Sequence, residues 1–357
     1  MGRPAMRGSV SKALIISFIL GLVFLRVVGI ESDPPLFYVG HGQAQLTDPY
    51  QFSFFARNAV LYGEWNPFDF HRWDVFRYSL ISGVSYLFFS AFGVSRVTAN
   101  LVAIVLHMGG LLLFLLGLRR FRDFWEVSLV ALLLLLNSSL FFYGRLPFLE
   151  NGLIFLSGLT FFVFVHYGHR AWGQAMTGAL VALATLSGKL FGFLLLGPVL
   201  ICLLVVYRSR VAVPILVTVT SLVLTAVAYM LVFYGGDLTT LLNYSAEQTV
   251  GMYGPPPGFS SLPDFFEMLM TYGGNGLWQY TPFLTLLTAI SLVLVVLRVP
   301  FAGAVKPESV AMIFCVAWLV GGVFGLMPFF YRPMRYGLFL FLPMAAISAF
   351  AVRESLT

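Results

Sequence analysis

The sequence predicts an all-α, polytopic integral membrane protein with about ten transmembrane helices and further interfacial helices in its first external loop. Three observations carry this expectation. Of 357 residues, 59% are hydrophobic and 10% are charged, whereas soluble domains carry about 25% charged residues. Apolar stretches recur from end to end, among them Ala13–Leu25, Thr98–Leu118, Ser128–Tyr143, Val213–Phe233 and Leu338–Val352. With their flanks, most reach the roughly 20 apolar residues that a bilayer-crossing helix needs. No internal repeat, low-complexity tract or shift in composition marks a second domain, so residues 1–357 are read as a single membrane-embedded unit.

The first span is expected over 12–30. Arg3, Arg7 and Lys12 precede its apolar run as in a signal peptide, but no small-residue cleavage site follows, so it is read as retained. The next apolar segment, Tyr78–Phe92, decides the topology. If it crossed, Arg119, Arg120 and Arg122 would face outside, together with the loops carrying His169/Arg170, Arg208/Arg210 and Arg298/Lys306. Laid along the outer interface instead, it returns all these basic loops to the cytoplasm, as positively charged loops prefer. The remaining spans then follow at 97–118, 125–143, 149–167, 174–188, 190–207, 211–235, 277–297, 307–328 and 336–352. Segments 31–96 and 236–276 lie outside and form the candidate active face, with short external turns at 144–148, 188–190 and 329–335.

Eight cations remain on that face: Arg57, Arg72, Arg77, Arg96, Arg145, Lys189, Arg332 and Arg335. Loop-charge bias does not explain them. Charge at the end of a span is costly and points to a site, and Arg and Lys match phosphate oxygens in charge and donor geometry. Each one taken singly can equally snorkel to lipid headgroups or pair with an external acid. Asp48-Pro49-Tyr50-Gln51 has the pattern of a helix start, with Asp48 as N-cap and Pro49 in the first turn. That helix should run to Tyr62, stop at Gly63, and dock through Phe52, Phe55, Ala59 and Tyr62. Spacing alone favours capping over catalysis for Asp48. Glu150 follows Arg145 across a Pro-broken junction; it can serve the helix N-terminus, or the two charges can need each other or a ligand. In 236–276, Pro255–Pro257 enforce a loop, and Ser261-Leu262-Pro263-Asp264 reads as a capping box opening a short helix.

Several function classes find no support. The net charge of +6 comes without the basic, aromatic-interleaved polar segment of a nucleic-acid interface. No phosphate-binding glycine loop, H-E-x-x-H or G-x-S-x-G pattern occurs. The five histidines are scattered, so no metal ligand set is assigned, and His107, in mid-span, is read as a satisfied core histidine. Cys202 and Cys315 sit in apolar runs as core thiols.

Taken in order, these features resemble the GT-C superfamily of membrane glycosyltransferases, in the branch of protein O-mannosyltransferases and lipid A aminoarabinose transferases. The match runs through the acid after the first span, Ala56-Arg57-Asn58, Leu61-Tyr62-Gly63-Glu64-Trp65, the interfacial Ser79–Phe92 with Gly93-Val94-Ser95-Arg96, and Leu115–Arg120. It continues through the Arg145 to Glu150 junction and Leu186-Ser187-Gly188-Lys189 to Arg335-Tyr336-Gly337 and Leu342-Pro343, covering almost the whole chain. Two departures stand out: Pro49 replaces the second acid often found after the first, and the Lys-Pro-Pro often seen before the interfacial helix is absent, leaving Arg72 or Arg77 in its place.

The resemblance implies a polyprenyl-phosphate-linked sugar donor at the membrane surface and an unknown lipid, glycan or protein acceptor. It implies Asp48 as the catalytic carboxylate and Arg57, Arg77, Arg145, Glu150, Lys189, Arg332, Arg335 and Tyr336 as substrate-binding residues. A single displacement would invert the anomeric centre. No cofactor is implied, and the sparse external acids argue against an obligatory divalent cation. A flippase or transporter, and a non-catalytic membrane subunit, are the alternatives. The first would call for charges near the midplane and paired broken helices; the second requires no convergence of Asp48, Arg145, Glu150 and Lys189.

Overall fold

The computed structural model describes residues 4–31, 49–69, 74–236, 281–298, 307–326 and 334–356. Asp48, Arg72, Arg332 and the capping box at Ser261–Asp264 lie outside the described residues. The chain opens with α1 (Pro4–Leu25). The first external segment holds a 3-10 turn (Pro49–Ser53), α2 (Phe54–Tyr62), a second 3-10 turn (Asp74–Phe76) and α3 (Leu80–Phe92). Then follow α4 (Arg96–Arg119), α5 (Phe124–Leu135), α6 (Ser138–Tyr143), α7 (Leu149–Tyr167), α8 (Ala171–Leu183), α9 (Leu196–Tyr207) and α10 (Ala212–Tyr234). The last helices are α11 (Pro282–Arg298), α12 (Pro307–Leu326) and α13 (Phe341–Leu356).

Within the described residues, each predicted span falls mainly on helical structure, the first ending at Leu25. Among the described residues, five helical stretches are long and apolar enough to cross a membrane: α4, α7, Leu190–Tyr207, α10 and Ser309–Leu326. α3 has 13 residues, about 20 Å of helix against the roughly 30 Å of a bilayer core. Its Ile81, Ser82, Ser85 and Phe89 are buried while Leu87 and Phe92 are exposed, the two-sided pattern of a helix lying flat. Ser79 caps its start by accepting from the Ser82 amide, and Ser95 does the same for α4 through Thr98.

Two predicted elements are broken by local chemistry. The span expected over 125–143 stops after Leu135, because Asn137 turns its Oδ1 onto the Leu140 amide at 3.0 Å and starts α6 afresh. Asn and Ser side chains compete for backbone in this way and favour caps over helix interiors. The helix expected from Pro49 begins as a 3-10 turn and ends at Gly63 as expected, with φ +77°. The tighter turn shifts the docking face to Phe52, Phe55, Ala56 and Asn58. Tyr62 is exposed and meets Phe68 at 5.4 Å instead of the helical body.

The bundle is centred on α4 and α7, whose backbones touch. A Cβ on Gly158 would lie 2.1 Å from the Gly110 carbonyl oxygen, and one on Gly110 would lie 2.6 Å from that of Ile154. Small residues at such crossings let membrane helices approach closely where no hydrophobic drive exists between them. Around this contact, Phe114, Phe161, Phe314, Trp318 and Phe339 form an aromatic core with ring centroids 4.8–6.3 Å apart. Phe339 belongs to a buried 3-10 segment, Met334–Leu340, that also carries Arg335. Replacing Gly158 with Ala is expected to lower the melting temperature by the equivalent of about 1–3 kcal/mol. By contrast, Gly83 in α3 faces open space, so Gly83→Ala should raise it by about 0.5–1 kcal/mol. Thermal unfolding in detergent, followed by fluorescence, checks both.

Candidate active site

Glu150 occupies the first turn of α7, where its charge suits the helix N-terminus. It is nevertheless 1% exposed, and an unpaired carboxylate there would cost several kcal/mol. Two cations from distant parts of the chain answer it. Lys189 Nζ donates to Oε1 at 2.6 Å, and Arg335 Nε lies 3.5 Å from the same oxygen. Oε2 has no hydrogen-bond partner among the described residues.

The backbone around Lys189 is built to deliver that amine. α8 widens into a π turn, Ala184–Gly188; Lys189 itself is extended, with φ −154° and ψ 151°. The chain resumes as a 3-10 segment, Leu190–Leu195, before α9. Such π turns concentrate at functional positions. The amine stands 3.6 Å from the centroid of the Tyr336 ring, close enough for a strong cation–π contact. Tyr336 in turn packs on Phe191 at 5.0 Å, and the Arg335 guanidinium lies 5.1 Å from Phe148. Two cations and one acid thus share an aromatic enclosure with net positive charge.

The structure brings together four of the expected site residues: Glu150, Lys189, Arg335 and Tyr336. It separates others. Arg145 does not reach Glu150; its Nη2 donates to the carbonyls of Val28 and Gly29 at 2.7 and 2.5 Å, fixing the chain that leaves α1. Partial burial lowers its pKa from the ordinary value. Arg77 pairs with Asp74, Nε to Oδ1 at 2.7 Å. Burial works against its charge, and Tyr78 and Asp74 outweigh it, so its pKa is raised. Arg57 is exposed on α2. The first external segment is strapped to the end of α10 through Tyr234, which donates to the Val75 carbonyl at 2.6 Å, and Tyr229, which donates to that of Tyr78 at 2.8 Å.

Sequence reasoning missed Phe148, Phe191 and Asn151. The two rings are indistinguishable from any lipid-facing phenylalanine in a chain with 37 of them. Asn151 carried a signal, a polar residue beside Glu150 in an apolar span. His107 is only half satisfied: Nδ1 bonds Asn151, and Nε2 has no partner among the described residues.

An all-helical membrane bundle with a short helix, α3, ahead of α4 and a buried acid–cation cluster at the helix ends is a fold shared with solved structures. The structure is similar to ArnT from Cupriavidus metallidurans bound to undecaprenyl phosphate, with a TM-score of 0.58 and 16% identity over 96% of this chain. It is similarly close to the apo state of that protein, with a TM-score of 0.56 and 15% identity over 98% of this chain. The chain spans 60% of the length of both. No protein-family profile and no curated protein sequence matches.

The ion cluster predicts a distinctive stability pattern. Glu150→Gln removes the acid and leaves two buried cations, a change expected to cost about 3–5 kcal/mol. Adding Lys189→Met should recover part of that loss, because one orphaned charge goes with it. Denaturation midpoints of the two singles and the double give the coupling; strict additivity would exclude a working pair.

Proposed function

We propose that the protein is a glycosyltransferase that moves a sugar from a polyprenyl-phosphate-linked donor to an acceptor hydroxyl on the extracytoplasmic face of the cell membrane. The observation that carries this reading is the Glu150–Lys189–Arg335–Tyr336 cluster, set in a fold shared with a protein crystallised with undecaprenyl phosphate. A phosphate diester bears one negative charge, and its departure as a monoester adds another. Lys189 and Arg335 are the cations to hold it, with Glu150 keeping them preorganised in a water-poor enclosure, where such contacts act most strongly. Tyr336 fixes the lysine from the other side. Arg57, Arg77, Arg145 and Arg332 are proposed as further substrate contacts, and Arg77 and Arg145 also brace their own segments.

In the reaction the acceptor oxygen bonds to the anomeric carbon as the bond from that carbon to the phosphate oxygen breaks. The hydroxyl proton passes to the Asp48 carboxylate, and polyprenyl phosphate leaves with the electron pair. One displacement inverts the anomeric centre. The acceptor is a hydroxyl of a lipid, a glycan or a protein, and no divalent cation enters the scheme.

Purified protein in nanodiscs, given undecaprenyl phosphate and then a labelled lipid-linked sugar, tests this. Lys189→Ala and Arg335→Ala should each weaken binding of undecaprenyl phosphate by about 10–100-fold. Asp48→Asn should leave binding intact and lower turnover by about 10²–10⁴-fold; turnover within a few-fold of wild type would remove Asp48 as the base. A chelator should change nothing. If the labelled donor crosses the bilayer unconsumed, the protein is a flippase. The orientation is checked by impermeant thiol labelling in a Cys202→Ala, Cys315→Ala background. Single cysteines near Asp48, Glu150 and Gly254 should label from outside, and those near Arg120 and Arg208 should not.

A further inference from the structure

The turn that presents Glu150 is held from beneath by two fully buried polar side chains. Asn151 Nδ2 donates to the Tyr143 carbonyl at 3.0 Å and to the Leu146 carbonyl at 2.7 Å. Its Oδ1 lies 2.9 Å from Nδ1 of His107 on α4. These contacts fix the chemistry of the pair. A carbonyl only accepts, so the amide nitrogen must face both carbonyls, and Oδ1 is left to accept from the imidazole. His107 therefore carries its proton on Nδ1 and a lone pair on Nε2. That lone pair is buried without a partner among the described residues, and so is Nη1 of Arg26, a donor. Arg26 Nε lies 3.3 Å from Sδ of Met108, the next residue after His107. An unused acceptor and an unused donor thus stand beside α4 in complementary sense.

The imidazole also supports the turn by contact. A Cβ on Gly144 would lie 2.9 Å from ring atoms Cγ and Cδ2, so the backbone rests directly on the ring. Held at Tyr143, Gly144, Leu146 and Asn151, the turn has one shape. That shape sets Phe148 beside the Arg335 guanidinium and Glu150 against Lys189.

We infer that His107 and Asn151 are positioning residues for the Glu150–Lys189–Arg335 cluster, acting through the 143–151 turn. The inference rests on the reading of that cluster as the polyprenyl-phosphate site. A pair that merely held α4 to α7 would shift the melting temperature and leave affinity for the lipid unchanged.

Two measurements on the full-length protein in nanodiscs decide it. In the first, undecaprenyl phosphate affinity is compared among wild type, His107→Leu and His107→Asn. The two replacements share a shape, and only asparagine keeps a donor near the place of Nδ1. His107→Leu should weaken binding by about tenfold, the size of one buried hydrogen bond, and His107→Asn by less than about threefold. In the second, nitrogen NMR of histidine-labelled wild type should show His107 as the Nδ1–H tautomer, unchanged from roughly pH 5 to 8. An Nε2–H tautomer overturns the inference whatever the binding shows. So does wild-type affinity in His107→Leu while Lys189→Ala and Arg335→Ala lose binding. If those two variants also bind as wild type, it is the phosphate reading that falls, and the tautomer alone then judges the positioning of the turn.

Discussion

The arrangement depends on one buried carboxylate. Glu150 sits where water cannot solvate it, so it requires cations, and the fold supplies them from two places far away in sequence. Meeting that requirement explains three irregularities that the apolar composition would not produce. α7 begins abruptly after Pro147, α8 and α9 are separated by a π turn, the extended Lys189 and a 3-10 segment, and the chain before α13 runs as a 3-10 segment. The three irregular stretches carry the acid itself, Lys189 and Arg335. Replacing such a cluster by apolar groups is often neutral for stability, so the cluster is not explained by folding stability alone.

The charges on the outer side divide the work between them. Lys189 and Arg335 enclose the acid, whereas Arg145 spends its donors on the carbonyls after α1 and Arg77 on Asp74. Arg26, fully buried, reaches the Leu135 carbonyl at the end of α5 and the face of Phe141. Arg26 and Arg145 satisfy backbone carbonyls where helices end, which is the recurring problem of irregular chain at membrane depth.

Much of this was legible in the sequence. Composition and apolar length gave the helical membrane class and the spans, because the bilayer allows few alternatives. Gly63 read correctly as a helix stop, and Tyr78–Phe92 falls on one short helix, because these signals are local. The convergence of Glu150 with Lys189, Arg335 and Tyr336 was legible only as an expectation carried by resemblance, since no local rule links positions so far apart. The separation of Arg145 from Glu150 was not legible. Five residues apart, they could have met, and the choice was made by unpaired carbonyls at Val28 and Gly29 that sequence does not display. The break at Asn137 could have been read from its capping chemistry, but the unbroken apolar run from Leu129 to Leu136 outweighed it.

The π turn before Lys189 has a consequence for the evolution of the chain. A π turn is an α-helix with one residue too many, so the aim of Lys189 is a matter of register. If the same five residues, Ala184–Gly188, wound as regular α-helix, the extra residue would swing everything after it by about 100° around the helix axis. The lysine would then leave the acid and face a neighbouring helix or lipid, although every side chain of the cluster remained encoded. The winding of this segment is therefore under tighter constraint than its bland composition of Ala, Thr, Leu, Ser and Gly suggests.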